Sequence, residues 1–165
     1  MEIGMELLEQ TLTFKLFNSK SRPSFVFFNN KIEIICLYDT GAVTPVWCMG
    51  ERKFLKTYPE AIKQNNNCYI SGFGQGREEC FVYIIPKFEL SNGYATYIIN
   101  NLKLAVCNRP AIGYDIVLSE TMFSMVDTVI RRRSGKLISF CFNKKEYNCI
   151  SKDAMNTMSV SVFAM

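Results

Sequence analysis

Short apolar runs separated by turn-forming residues are the feature that most limits how this chain can fold. Turn signals recur about every 8–12 residues, and the runs between them are rich in β-branched and aromatic side chains, as in residues 24–28, 31–38 and 80–85. Such spacing is typical of a mainly β protein that is closed or sandwich-like. We therefore predict an all-β fold with one or two short helices, formed by residues 1–165 as a single domain.

Pairs of neighbouring runs predict four β-hairpins. They join residues 24–28 with 31–38, residues 68–71 with 80–85, residues 94–99 with 102–106, and residues 125–131 with 136–142. In the third pair, Asn100-Asn101 is the candidate for a two-residue turn.

Helix signals occur at two places in the chain. Residues 57–60, Thr-Tyr-Pro-Glu, have the spacing of a capping box with proline in the first turn, which predicts a short helix over residues 58–63. Residues 116–122 are the second candidate for a short helix.

The absence of histidine removes several kinds of active site. Without histidine, a Ser-His-Asp triad, a Cys-His pair, a His-ligated zinc and a histidine pH switch all lack their central group. A thiol protease is disfavoured for the same reason, although the chain has seven cysteines. The cysteines are widely spaced and form no C-x-x-C pair, so we expect small buried hydrophobic residues in a reducing cytosol.

Charge and hydropathy point away from nucleic acid and membrane. The net charge is +4, and the one basic run, residues 131–133, is interpreted as the solvated end of a hairpin. No apolar run approaches the roughly 20 residues of a transmembrane helix, and the acidic first ten residues do not resemble a secretory signal. We expect a cytoplasmic protein that binds neither nucleic acid nor membrane.

The strand that ends at Tyr38 runs directly into Asp39-Thr40-Gly41, the candidate for a catalytic site. An aspartate at a strand end is commonly a turn residue, because its carboxylate can hydrogen-bond the local backbone. Here a hydroxyl and a glycine follow, and glycine lets the backbone approach the carboxylate closely. Residues 37–42, Leu-Tyr-Asp-Thr-Gly-Ala, resemble the active-site motif of aspartic proteases.

Two further segments resemble elements of the same family in the same order. Residues 71–76, Ser-Gly-Phe-Gly-Gln-Gly, resemble the flap hairpin that closes over the substrate. A phosphate-binding loop is disfavoured, because a strand pattern follows and the glycine spacing is not G-x-G-x-x-G. An inert hairpin turn remains an alternative. Residues 109–118 resemble the apolar-Ile-Gly-x-Asp-apolar-Leu element that passes behind the catalytic loop and opens a short helix.

The number of Asp-Thr-Gly motifs selects one branch of the family. The chemistry requires two carboxylates, and this chain carries one such motif. It therefore resembles the retropepsin-like proteases, which carry one motif per chain and form symmetric homodimers. This resemblance implies a closed, barrel-like acid-protease fold of the single-lobe type over about residues 23–142, with residues 1–22 and 143–165 as extensions. Residues 158–163 could form a strand at the dimer interface, an ordinary edge strand or a disordered tail.

The resemblance also assigns roles to individual positions. Asp39 of each subunit would supply half of the catalytic pair, Thr40 would hydrogen-bond across the twofold axis, and Gly41 would donate its backbone N–H to the carboxylates. The cleft and flap positions that would contact substrate are Ala42, Gly72, Phe73, Gly74 and Ile112. Catalysis of this kind requires no metal and no other cofactor.

The implied activity is that of an aspartic endopeptidase. Water activated between two Asp39 carboxylates would hydrolyse a peptide or protein substrate that binds as an added β-strand. One alternative is a catalytically inactive module of the same fold that binds a peptide or protein. Another is a β domain that binds nucleic acid through residues 131–133, for which binding would depend strongly on salt.

Overall fold

The computed structural model describes residues 10–19, 22–38, 44–71, 78–108, 113–118, 128–133, 137–142, 146–148 and 160–161. Within these residues the chain forms fourteen strands and one α-helix, which confirms the predicted all-β class. In the described part of the chain, no helix is long and apolar enough to cross a membrane.

The elements follow the chain in short steps. The strands are β1 (Gln10–Lys15), β2 (Phe17–Ser19), β3 (Arg22–Asn29), β4 (Ile32–Tyr38), β5 (Val46–Trp47), β6 (Ile62–Lys63), β7 (Cys68–Ser71), β8 (Glu78–Ser91), β9 (Thr96–Val106), β10 (Ile116–Leu118), β11 (Thr128–Arg133), β12 (Leu137–Phe142), β13 (Glu146–Asn148) and β14 (Val160–Ser161). The helix, α1, spans Gly50–Thr57.

The strands are arranged in two sheets. The smaller sheet has the order β1-β12-β11, and the larger has the order β13-β9-β5-β10-β4-β3-β8-β7-β14, with β2 on β3 and β6 on β8. Because β8 also pairs along β9, the strands β3, β4, β10, β5, β9 and β8 pair in a closed circuit. The circuit closes at the single pairing of Phe28 with Ser91.

The larger sheet is covered on both faces, so its strands carry apolar side chains in both directions. Successive residues alternate between two buried clusters: Trp47 belongs to one, and Val46 and Cys48 belong to the other. The largest buried side chains of the first, which we call the aromatic cluster, are Trp47, Tyr97, Phe25, Phe27, Phe54, Phe88 and Phe140. The second, which we call the thiol-rich cluster, contains Leu37, Val46, Cys48, Cys68, Ile70, Cys80, Val82, Ala105, Cys107, Tyr114 and Val117.

Three of the four predicted hairpins are present. β3 pairs with β4, β7 pairs with β8, and β11 pairs with β12, all antiparallel. The predicted basic hairpin end, residues 131–133, is the last part of β11 and pairs with β12 over its whole length.

The predicted turn at Asn100-Asn101 is wrong, because both residues lie inside β9. β9 pairs with β8 in one register on either side of Asn101. Asn101 has a positive φ of 58°, a conformation that asparagine tolerates better than most residues. The hairpin turns at residues 92–95 instead, where the side chain of Asn92 accepts two backbone N–H groups.

The predicted helix over residues 58–63 is also wrong, and the helix lies directly before it. The Thr57 hydroxyl donates to the backbone O of Lys53, 3.0 Å away, so Thr57 closes α1 and caps no following helix. Pro59 follows the helix end, a position where proline is common because it cannot continue a helix. The residues that begin α1 gave no signal, since Met49 provides no side-chain cap.

Two further segments carry predictions that the structure tests in part. Residues 116–118 form β10, so the helix predicted over residues 116–122 is wrong there, and residues 119–122 lie outside the described residues. In the C-terminal segment, residues 160–161 form a strand that pairs in parallel with β7 of the same chain, and residues 158–159 and 162–163 lie outside the described residues.

Candidate active site

The structure describes three strands around the candidate motif, β4, β5 and β10, which we call the frame. β4 ends at Tyr38, and the chain is described again from Thr44. The positions predicted to be catalytic or to contact substrate all lie outside the described residues: Asp39, Thr40, Gly41, Ala42, Gly72, Phe73, Gly74 and Ile112. Their predicted roles therefore stay predictions.

Within the frame, β10 lies between two strands that follow each other closely in sequence. β10 pairs in parallel with β4, with Leu118 opposite Tyr38. On its other side β10 pairs antiparallel with β5, with Val117 opposite Val46. The chain segment that carries the Asp-Thr-Gly motif thus connects two strands held apart by a third.

Asp115 fixes the start of β10 against β4. Its backbone N–H donates to the carbonyl of Ile35 at 2.8 Å, and its carboxylate Oδ2 accepts the Ile35 N–H, also at 2.8 Å. The Asp115 carbonyl in turn accepts the N–H of Cys48 at 2.7 Å, just past the end of β5. Asp115 therefore connects all three strands of the frame. Its partner on β4, Ile35, lies four residues before Asp39 in the sequence.

The buried Asp115 carboxylate also has a cationic partner. Lys53 of α1 places Nζ 2.9 Å from Asp115 Oδ1. The side chain of Asp115 is 12% exposed and that of Lys53 is 50% exposed, so the ion pair lies at the edge of the frame. With both carboxylate oxygens engaged, Asp115 acts as a structural group of this frame. The sequence resemblance matched Asp115 to the family, but nothing in the spacing of Lys53 signalled its partnership.

The hairpin that resembles the flap is present up to its tip. β7 and β8 pair antiparallel through Ile70 opposite Glu78, and residues 72–77 between them lie outside the described residues. The other edge of β7 is occupied by β14, with Val160 opposite Ile70. The C-terminal strand therefore borders the strand that leads into the glycine-rich segment.

The five cysteines whose side chains are described, residues 36, 48, 68, 80 and 107, are all buried and free, as the sequence predicts. Four of them belong to the thiol-rich cluster, and Cys36 belongs to the aromatic cluster. Burial raises the pKa of the Cys36 and Cys48 thiols, and it raises the pKa of Cys68 to about 12. These three side chains are neutral thiols near neutral pH. Among the described residues, no group of three or more Cys, Asp or Glu side chains is arranged to hold a metal ion.

A pocket of about 290 Å³ lies at the opposite end of β4, beside the turn at Asn30. It is lined by the β3–β4 turn, the residues after α1 and residues 85–87 and 89 of β8. Within the described part of the chain, the Oδ1 atom of Asn29 and the hydroxyl of Tyr58 border it and have no hydrogen-bond partner. No sequence motif indicated this pocket.

One of three comparisons with known proteins found a similar fold. No protein-family model matches the chain, and no curated protein sequence matches it. Among solved structures, the chain is similar to a retropepsin-like aspartic protease from Rickettsia conorii, with a TM-score of 0.51 and 12% sequence identity, over 81% of this chain and 93% of that one. The predicted single-lobe retropepsin type is confirmed as a fold, and at this identity the likeness extends to the fold alone.

Proposed function

We propose that this chain is an aspartic endopeptidase of the retropepsin-like type, active as a symmetric homodimer. The observation that carries the proposal is the position of β10 between β4 and β5, the two strands that the Asp-Thr-Gly segment connects in sequence. The likeness to a solved retropepsin-like protease supports the same assignment.

The chemistry of the proposed site follows from bringing two carboxylates together. Two aspartates about 3 Å apart cannot both ionise, so the pair holds one shared proton. The ionised member takes a proton from water as that water attacks the scissile carbonyl, and the protonated member donates a hydrogen bond to the carbonyl oxygen. Since each chain supplies one Asp39, the active pair requires two chains.

The β7–β8 hairpin suggests how a substrate is held. An extended peptide in the cleft would gain main-chain hydrogen bonds from the glycine-rich residues 72–74, as an added strand does at a sheet edge. Glycine at the hairpin tip permits the backbone to change conformation when the hairpin closes over the peptide. Closure would exclude bulk water from the carboxylate pair.

The main test is cleavage of an unfolded polypeptide by the full chain at mildly acid pH, followed by mass spectrometry of the products. We expect Asp39→Asn to lower the cleavage rate by more than about a thousandfold, and a hydroxyl-bearing transition-state mimic to inhibit the wild type. Asp127→Asn is the matched control, because Asp127 lacks the Thr-Gly that follows Asp39. Cleavage that survives Asp39→Asn would refute the proposal.

Subunit mixing tests the dimer separately from the chemistry. If subunits pair at random, a ninefold excess of the Asp39→Asn chain lowers the activity of a fixed amount of wild type about tenfold, because mixed dimers carry one carboxylate of the pair. Unchanged activity in the mixture would contradict a shared site. A folded chain that stays monomeric, or that binds peptide without cleaving it, would instead support the inactive binding module.

A further inference from the structure

Four cysteines of the thiol-rich cluster lie in one row across four neighbouring strands. Cys68 of β7 is directly opposite Cys80 of β8. The register of β8 with β9, which pairs Phe81 with Val106, places Cys80 opposite Cys107. Cys48 follows β5, the next strand, whose Trp47 pairs with Val106. All four side chains are buried in the same cluster.

Within this row, Cys80 and Cys107 are in contact. Their Sγ atoms are 3.1 Å apart, and each residue is 1% exposed. A disulfide bond would bring the same atoms to about 2.05 Å. The two sulfur atoms therefore need to move toward each other by about 1 Å, which small side-chain rotations can supply.

The backbone around the pair also suits a disulfide. The N–H groups of Ala105 and Cys107 donate to Pro45 and Trp47, so these residues direct their backbone hydrogen bonds toward β5 and away from β8. Cys80 and Cys107 consequently occupy a non-hydrogen-bonded position of the β8–β9 ladder. Opposite Cα atoms at such a position are about 4.5 Å apart, within the range that disulfides span.

Cys68, the other neighbour of Cys80, occupies a different kind of position. Gln64 donates its N–H to the carbonyl of Val82, so Val82 directs its backbone toward the edge shared by β6 and β7. By alternation Cys80 does the same, and Cys68–Cys80 is a hydrogen-bonded pair, in which opposite Cα atoms are about 5.5 Å apart and the side chains lie further from each other. Cys107 is thus the partner favoured by the backbone.

We propose that Cys80 and Cys107 form a redox modification site, at which hydrogen peroxide converts the two thiols into a reversible disulfide. In the first step one cysteine sulfur attacks a peroxide oxygen, the O–O bond breaks, and a sulfenic acid and water result. In the second step the other sulfur attacks the sulfenic sulfur, the S–O bond breaks, and a second water leaves. Two thiols and one peroxide thus give one disulfide and two waters.

The surroundings determine how this site reacts. The hydrogen bond with Cys107, together with burial, raises the pKa of Cys80, so little thiolate is present and the first step, the attack on peroxide, is slow. The partner thiol, in contrast, is already in contact. Cys80 is the third residue of β8 and Cys107 follows the last residue of β9, so peroxide can reach the pair when these strand ends open locally.

The disulfide would tie the strand that leaves the glycine-rich segment to the end of β9. It closes a loop between residues 27 positions apart in sequence, and cross-links of that span restrict the unfolded chain and stabilise the fold. This inference does not depend on the proposed protease activity.

The test treats the reduced full chain with hydrogen peroxide, blocks the remaining thiols after unfolding, and maps the peptides without reduction. We expect a peptide that links Cys80 to Cys107 and lacks two hydrogen atoms, a rise in Tm of about 5–10 °C, and reversal of both by dithiothreitol. Cys107→Ala should abolish the link and the rise in Tm, whereas Cys68→Ala, the matched control, should leave both.

Other products would overturn the inference. A link from Cys80 to Cys68 or Cys48, oxidation of Cys80 beyond the sulfenic acid with Cys107 still free, or two free thiols after peroxide treatment would each contradict the assigned pair. If Cys107→Ala does not fold, Cys107→Ser provides the same loss of the sulfur with a smaller change of volume, and the peptide map of the wild type stands independently.

Discussion

The two faces of the larger sheet are packed with different side chains, although they share the same strands. The aromatic cluster joins large rings at short range: the ring centroid of Phe54 lies 5.7 Å from that of Trp47 and 4.9 Å from that of Tyr83. The thiol-rich cluster has small aliphatic side chains and four cysteines in place of rings, apart from Tyr114. Large rings bury more apolar area per residue, so the aromatic face is expected to supply most of the stability.

The three strands of the frame contribute side chains to both faces. Leu37, Val46 and Val117 belong to the thiol-rich cluster. Their neighbours Trp47 and Ile116 belong to the aromatic cluster. The candidate motif is thus framed by strands that are packed on both faces, and the aromatic face is expected to supply most of their stability.

The largest expected effect comes from removing a ring of the aromatic cluster. Phe54 is fully buried, and its ring contacts those of Trp47, Tyr58 and Tyr83. We expect Phe54→Ala to lower the free energy of unfolding by about 3–5 kcal/mol, because the lost contacts and the remaining cavity add. Urea denaturation followed by circular dichroism measures this change.

A truncation on the other face is the matched control for this prediction. Cys48 is equally buried in the thiol-rich cluster, and Cys48→Ala removes a single sulfur, so the loss should be about 1–2 kcal/mol. Equal losses for the two variants would show that the two faces contribute alike and would refute the comparison.

An intermediate effect is expected at Asp115, which lies between the clusters: Tyr114 belongs to the thiol-rich one and Ile116 to the aromatic one. Asp115→Ala leaves the N–H of Ile35 without its carboxylate acceptor and Lys53 without its partner. The free energy of unfolding should fall by about 2–4 kcal/mol. Lys53→Gln, which keeps a donor for the carboxylate, should cost about 1 kcal/mol or less, since the lysine is half-exposed. A larger loss for Lys53→Gln than for Asp115→Ala would mean that the ion pair, and not the backbone contact, holds the frame.

The smallest effect is expected at the outer edge of the aromatic cluster, and it depends on pH. Glu51 accepts hydrogen bonds from the Tyr83 hydroxyl and from Lys63, and these lower its pKa in the folded state. A carboxyl whose pKa is lower when folded stabilises the fold above its unfolded pKa, and that stabilisation disappears as the pH falls through the folded pKa.

We therefore expect Glu51→Gln to cost less than about 1 kcal/mol at neutral pH. This cost should shrink as the pH falls through the lowered folded-state pKa of Glu51. Urea denaturation at neutral and at acid pH gives the difference. Glu60→Gln, which changes an exposed carboxylate on the next turn, is the control for the loss of one negative charge. A Glu51→Gln deficit that persists in acid would contradict the assignment to charge.

Local sequence patterns predicted the strands well, and they predicted turns and helix ends poorly. The apolar runs of β3, β4 and β8 were visible because both faces of the sheet are buried and the runs are nearly continuous. Two of the three wrong predictions, the turn at residues 100–101 and the helix over residues 58–63, share a cause: residues that favour turns or caps are satisfied by other partners. Thr57 bonds backward into α1, and Asn101 is accommodated within β9. The turn that does form contains Asn92-Gly93, a dipeptide that favours β-hairpin turns.

The candidate site also combines features that the sequence predicts with features that it does not predict. The Asp-Thr-Gly motif and the match of residues 109–118 depend on residue identity, so they could be read directly. The Lys53–Asp115 ion pair and the row of cysteines depend on the registry of strands far apart in sequence. No local spacing encodes such contacts, because they arise only once the sheet has closed.

The insertion of β10 between β4 and β5 has a consequence for the order of folding. Asp115 and Ile35, whose contact fixes that insertion, are 80 residues apart. Contacts of such long range form slowly, since a long loop must close before any stabilisation is gained. During synthesis, the edges of β4 and β5 that pair with β10 therefore stay unpaired until most of the chain has been made. The frame of the candidate site is then among the last parts of the molecule to assemble, which keeps any activity that depends on it silent in the incomplete chain.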